Sequence, residues 1–112
     1  YLKEFNLPSS KFIISSFKWL ELKKFRDLNN EIPIAILVDS LFKIDDAIKL
    51  AKEINAFALN PDNEFLTKKI VKKIHSHDIK VYPYTINSLD NVKRMKLMGV
   101  DAIITDYPER IN

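Results

Sequence analysis

The 112-residue sequence carries 18 lysines and arginines against 15 aspartates and glutamates, a net charge of +3, with 46% hydrophobic and 29% charged residues. That is an ordinary globular composition for one domain that buries about two-thirds of its unfolded surface, and it excludes a disordered chain. Without cysteine there are no disulfides, thiolate metal sites or cysteine nucleophiles, and no apolar run approaches the roughly 20 residues of a membrane span.

The chain opens on Tyr1-Leu2-Lys3-Glu4, with no methionine, basic n-region or small-residue cleavage site. No targeting signal is visible, and the sequence reads as a piece of something longer. Its location is left open, with a cytoplasmic one favoured by the lack of cysteine. The first apolar run, Phe12 to Phe17 (FIISSF), reads as a buried strand, and Leu22, Phe25 and Leu28 mark a helix after it. The second run, Pro33 to Asp39 (PIAILVD), precedes Ile44, Ala47, Ile48, Ala51 and Ile54, whose spacing puts them on one helix face. Lys43, Asp46, Lys49 and Lys52 take the other sides.

The third run, Ala56 to Pro61 (AFALNP), leads to a helix marked by Leu66, Ile70, Val71 and Ile74. The fourth, Val81 to Asn87 (VYPYTIN), leads to a helix that Ser88 can cap, with Asp90 in the positive first turn and Val92 and Met95 facing inward. Gly99, the only glycine, ends that helix in the left-handed conformation glycine adopts without steric cost. The last run is Ala102 to Pro108 (AIITDYP), and Pro108, having no N–H for a ladder, stops the strand.

The five runs start at residues 12, 33, 56, 81 and 102, so strands recur every 21 to 25 residues with a helix between each pair. Helical crossovers and continuous apolar strands indicate parallel strands buried on both faces, as in a barrel or a doubly wound sheet. Every run turns polar or meets proline at its C-terminal end: Ser15-Ser16, Asp39-Ser40, Asn60-Pro61-Asp62, Thr85-Ile86-Asn87 and Thr105-Asp106. Such folds bind ligands along that edge. The same residues also suit loop starts and helix caps, which is sufficient for Ser40 and Ser88.

Familiar catalytic constellations are missing. One glycine cannot build a phosphate-cradling loop. His75 and His77 lie two apart at a helix end and point in different directions, so they form no metal pair, and favourable contact with the helix C-terminus is their more economical role. Neither has an obvious partner for general-base work. Asp45-Asp46 and Asp62-Asn63-Glu64 read as first-turn helix residues rather than metal ligands. Lys68, Lys69, Lys72 and Lys73 form a solvated face, and with Arg26, Arg94 and Arg110 as the only arginines the chain is not expected to bind nucleic acid.

The series Ile14-Ser15-Ser16-Phe17, Leu59-Asn60-Pro61-Asp62, Leu66-Thr67 with Val71 and His75, Val81 with Tyr84-Thr85-Ile86-Asn87, and GVDAIITDYP from Gly99 to Pro108 resembles the glycerophosphodiester phosphodiesterase family. The similarity runs over essentially the whole chain. It implies an α/β fold, with residues 1–112 as one partial domain holding the last five or so strand–helix units of an eight-unit TIM barrel. It also implies a metal-dependent phosphodiesterase that releases glycerol 3-phosphate and an alcohol, using Mg²⁺ or Ca²⁺ held by carboxylates and a histidine pair as acid and base.

The family's His-Arg-Gly start, Glu-x-Asp pair, His-Asp turn and Glu-x-Lys strand precede these motifs and do not occur here, so no catalytic or metal-ligating residue carries over and the segment alone is expected to be inactive. What the resemblance assigns is a wall: Phe17 and Tyr84 line the substrate cleft, Tyr84 standing where tryptophan is usual. Ser15, Ser16, Asn60, Thr85, Asn87, Thr105 and Asp106 organise the loops at the strand ends. Asp78 replaces a usual glycine, in a left-handed turn that aspartate tolerates better than most residues. The competing reading is a truncated barrel kept as a non-catalytic binding or interaction module. In either case two unpaired sheet edges are expected to drive dimerisation or swapping of the segment.

Overall fold

Five consecutive apolar residues, Ile34–Val38, form the longest strand among the described residues, and helices on one side and a smaller apolar cluster on the other bury all of them but Leu37. In the computed structural model, which describes residues 2–4 and 14–106 and the side chains of residues 15–106, the elements follow one another as strand and helix. They are β1 (Leu2–Glu4), β2 (Ile14–Ser16), α1 (Trp19–Leu28), β3 (Ile34–Val38), a 3₁₀ turn (Leu41–Lys43), α2 (Ile44–Ile54), β4 (Ala58–Pro61), α3 (Lys68–His75), β5 (Lys80–Val81), α4 (Leu89–Met98) and β6 (Ala102–Ile104). Tyr1, Phe12, Ile13, Tyr107, Pro108 and Arg110 lie outside the described residues.

Strands β2, β3, β4 and β5 form one parallel sheet in chain order, as the strand–helix rhythm predicts. Its register sets Ser15 beside Ala35, Leu37 beside Asn60 and Leu59 beside Val81. Because strand side chains alternate, Ile34, Ile36, Val38, Leu59 and Val81 all face the helices and are fully buried. The expected face of α2 meets them, with Ile44, Ala47, Ile48, Ala51 and Ile54 all buried. Each such isoleucine contributes about 1.5–3 kcal/mol by leaving water. On the opposite face, Ala35, Ala58, Tyr82 and Ala102 make a smaller cluster against Phe57.

The caps follow the sequence. Ser88 Oγ accepts the Asn91 N–H at 3.2 Å, Gly99 closes α4 at φ 86°, and Asp78 takes the left-handed conformation at φ 59°. Thr67 starts α3 by accepting the Ile70 N–H at 3.2 Å. Asp62-Asn63-Glu64 are therefore turn residues ahead of the helix rather than its first turn, with Asp62 Oδ1 accepting the Glu64 N–H at 2.9 Å. Leu28, the last residue of α1, is 87% exposed and takes no part in the core.

Two strands depart from expectation. The run Val81 to Asn87 is a strand only over Lys80–Val81, because Pro61 of β4 has no N–H to give to Tyr82 O, which Asn60 Nδ2 takes instead at 3.0 Å. The sheet nevertheless reaches β6 through single bonds: Asp101 N–H to Val81 O at 3.0 Å, Ile104 N–H to Pro83 O at 2.9 Å, and Ile86 N–H to Ile104 O at 2.8 Å. The outer edge of β6, expected to be bare, carries β1 in antiparallel pairing, with Leu2 opposite Ile104 and Glu4 opposite Ala102. Among the described residues no helix is long and apolar enough to cross a membrane.

Candidate functional site

The strand C-termini bring Phe17, Asp39, Asp62, Tyr84 and Thr105-Asp106 to one end of the sheet. Phe17 follows β2 and Tyr84 follows β5, the two edge strands of the four-stranded sheet, yet their rings meet edge to face at 5.9 Å and 82°. The sheet curls toward this side to let them meet. Phe17 remains 52% exposed, so this aromatic corner is open to solvent.

Tyr84 is held by its backbone. Its N–H donates to Pro61 O at 3.1 Å, and its carbonyl accepts both the Asn63 N–H at 2.9 Å and Asn63 Nδ2 at 2.8 Å. Asn63 Nδ2 also reaches Thr85 O at 3.3 Å, and the Tyr84–Thr85 peptide is cis. Arg94 of α4 donates to Asn63 O at 3.2 Å and Asn63 Oδ1 at 3.3 Å, so a helix guanidinium fixes the turn that fixes the aromatic residue. Neither Asn63 nor Arg94 stands out in the sequence as a site residue. Their only signal is chemical, an amide and a guanidinium able to serve several carbonyls at once.

The next strand end is locked separately. Asn87 Oδ1 accepts Thr105 Oγ1–H at 3.2 Å and the Asp106 N–H at 3.0 Å, while Asn87 Nδ2 donates to Asp106 Oδ2 at 3.2 Å. Thr105 is fully buried and Asp106 exposed. Elsewhere, Ser16 Oγ accepts the Lys18 N–H at 2.9 Å, Ser15 is exposed, and Thr85 engages the turn through its carbonyl. Asn60, 2% exposed, donates to Tyr82 O at 3.0 Å on the concave side of β4, and its Oδ1 has no partner among the described residues.

Two carboxylates flank the aromatic corner. The Tyr84 hydroxyl, 3.5 Å from Val38 O, is pushed up to about 12 by burial first and then by the negative charges of Asp62 and Asp39. Asp39 is itself held below the usual carboxylate range by its 2.9 Å bond from Lys43 Nζ.

The histidines lie elsewhere. His75 does have a partner, contrary to the sequence reading: its Nε2 is 2.7 Å from Asp101 Oδ2, which also accepts the Val81 N–H at 2.8 Å. That pair joins α3 to the entry of β6, at the N-terminal ends of the strands, and braces the fold away from the aromatic corner. His77 is exposed on the outer surface. Asp45 pairs with Lys73 between α2 and α3. Among the described residues no three histidine, aspartate or glutamate side chains gather where a metal ion could be held.

A family model described as Glycerophosphoryl diester phosphodiesterase family matches residues 2–110. A glycerophosphodiester phosphodiesterase of Bacillus altitudinis is 29% identical over 100 residues, covering 89% of this chain and 41% of the relative. Among solved structures, a glycerophosphodiester phosphodiesterase of Parabacteroides distasonis superposes with a TM-score of 0.69 at 25% identity, covering 85% of this chain and 39% of that one. A phosphodiesterase of Oleispira antarctica in complex with the product sn-glycerol-3-phosphate has the same fold, with a TM-score of 0.81 at 24% identity over 95% of this chain and 41% of that one. The chain thus spans about two-fifths of the length of the proteins it matches.

Proposed function

This chain belongs to the glycerophosphoryl diester phosphodiesterase family, and on that premise we propose that it furnishes the substrate-cleft wall of an enzyme hydrolysing glycerophosphodiesters to glycerol 3-phosphate and an alcohol. The observation that carries the reading is the meeting of Phe17 and Tyr84 from opposite sheet edges at the strand C-termini, where strand–helix barrels bind their ligands. The product held by the Oleispira phosphodiesterase, whose fold this chain shares over most of its length, supports the same substrate class. The rings cover the apolar surface of the bound diester, and the lock of Asn87, Thr105 and Asp106 keeps the neighbouring loop in place.

The general acid, the general base and the ligands of a divalent Mg²⁺ or Ca²⁺ come, in this reading, from residues outside the motifs matched here. Among the described residues no three histidine, aspartate or glutamate side chains gather to hold such an ion. The test is a coupled assay for glycerol 3-phosphate. The 112-residue chain is expected to release none from glycerophosphocholine. The longest reading frame that encodes it is expected to do so, with loss on chelation and recovery on adding Mg²⁺ or Ca²⁺. Turnover by the chain alone would place the catalytic groups within it, and an inert full-length product would overturn the reading.

A further inference from the structure

The electrostatics of the aromatic corner say which end of the diester it faces. Phe17 and Tyr84 meet at 82°, presenting two ring faces at right angles, with Phe17 52% exposed. Asp39 and Asp62, at the ends of the two strands between them, bring negative charge close enough to act on the Tyr84 hydroxyl. Lys43 Nζ answers Asp39 at 2.9 Å. Asp62 Oδ1 takes only the Glu64 N–H, and no described residue donates to its other oxygen. A phosphodiester carries a full negative charge and is repelled from this place. An organic cation is attracted twice, by the carboxylates and by the negative faces of the rings, which hold such a charge within about 6 Å of the centroid.

We propose that this corner selects glycerophosphodiesters whose alcohol carries a positively charged nitrogen, quaternary or primary ammonium, over those of uncharged polyols. The inference rests on the cleft-wall reading above and adds a direction to it: the alcohol lies on Phe17, Tyr84 and Asp62, and the phosphate points away toward the rest of the site. Tyr84 and Asp62 then act as specificity-determining residues. Phosphate and glycerol contacts common to all the diesters leave the ratio between them unchanged.

The experiment is titration of the 112-residue chain with three probes, glycerophosphocholine, glycerophosphoglycerol and tetramethylammonium, followed by calorimetry and by the ring resonances of Phe17 and Tyr84. Glycerophosphocholine is expected to bind about tenfold tighter than glycerophosphoglycerol, with tetramethylammonium shifting the same ring signals. Asp62→Asn should cut that ratio about threefold or more, Tyr84→Leu should abolish it, and Tyr84→Trp, a better cation–π partner that keeps the packing, should preserve or widen it. Equal binding of the two diesters overturns the selectivity and leaves the cleft wall standing. Binding of tetramethylammonium without either diester, or no binding of any probe, overturns the proposal, while the diesterase reading stands or falls on the glycerol 3-phosphate assay of the longest reading frame.

Discussion

Asn63 serves two consecutive carbonyls from one amide, Tyr84 O at 2.8 Å and Thr85 O at 3.3 Å, while its own Oδ1 takes Arg94. Replacing it with alanine leaves Tyr84 O the backbone N–H at 2.9 Å but takes the side-chain donor from Thr85 O and an acceptor from Arg94. With about 0.5–1.5 kcal/mol net for each bond, Asn63→Ala should lose about 1–2 kcal/mol in denaturant unfolding and disperse the Phe17 and Tyr84 ring contact. Asn63→Asp keeps the acceptor for Arg94 but cannot donate to Tyr84 O or Thr85 O, so it too should be destabilised, and an unchanged unfolding midpoint in Asn63→Ala would mean that water replaces the amide. Tyr84 supplies a second test. Its folded value of about 12 lies above the ordinary 10.0, so the folded chain holds this proton more tightly than the unfolded chain. The associated stabilisation is complete below pH 10 and is lost as pH rises through about 12. The stability of the native chain relative to Tyr84→Phe should therefore fall between pH 10 and 12, whereas a constant difference would show an ordinary tyrosine.

The elements themselves test backbone conformation, because three turns place a residue in the left-handed region: Asn55 at φ 53°, Asp78 at φ 59° and Gly99 at φ 86°. Asp78 pays a steric penalty that glycine lacks, so Asp78→Gly should stabilise the chain by up to about 1 kcal/mol. Gly99→Ala should cost about 1 kcal/mol through backbone alone, since a Cβ there meets nothing within 4 Å. Thermal midpoints moving the opposite way in either variant would contradict the assigned turns. These positions also mark how far sequence carries the fold. Period and caps place α2 and α4 to within a residue or so, because those signals are local. Strand β5 escapes them: the apolar run through Asn87 looks continuous, and only the missing N–H of Pro61, set against Tyr82 of the next unit, shows why the ladder stops. The site divides the same way. The strand-end polar residues are visible in the chain, whereas Asn63 meeting Tyr84 and Arg94, or His75 meeting Asp101, depends on how distant units pack.

At the scale of the molecule the question is what becomes of a curved parallel wall whose edges offer unpaired N–H and C=O groups to any other chain. The edge at β6 is taken by Leu2–Glu4, which runs antiparallel and sets Lys3 opposite Ile103. An antiparallel partner of three residues satisfies the backbone without extending the barrel, since a neighbouring barrel strand would run parallel. At the other side of the sheet, β2 pairs with β3 alone among the described strands. Association of the chain is therefore expected to run through the β2 edge, a self-complementary contact that closes at a dimer. Removing residues 1–4 should open the β6 edge as well, and a chain with two free edges can add copies at both ends. Light scattering across a concentration series should then show a mass limited to monomer and dimer for the intact chain and a mass that keeps rising for the shortened one. If both chains give the same concentration dependence, β1 does not protect the edge it occupies. If the shortened chain instead unfolds, by far-ultraviolet circular dichroism, β1 contributes to the stability of β6 rather than to its isolation, and Leu2→Ala with Lys3→Ala, which keep the backbone pairing, should restore the fold without changing the mass.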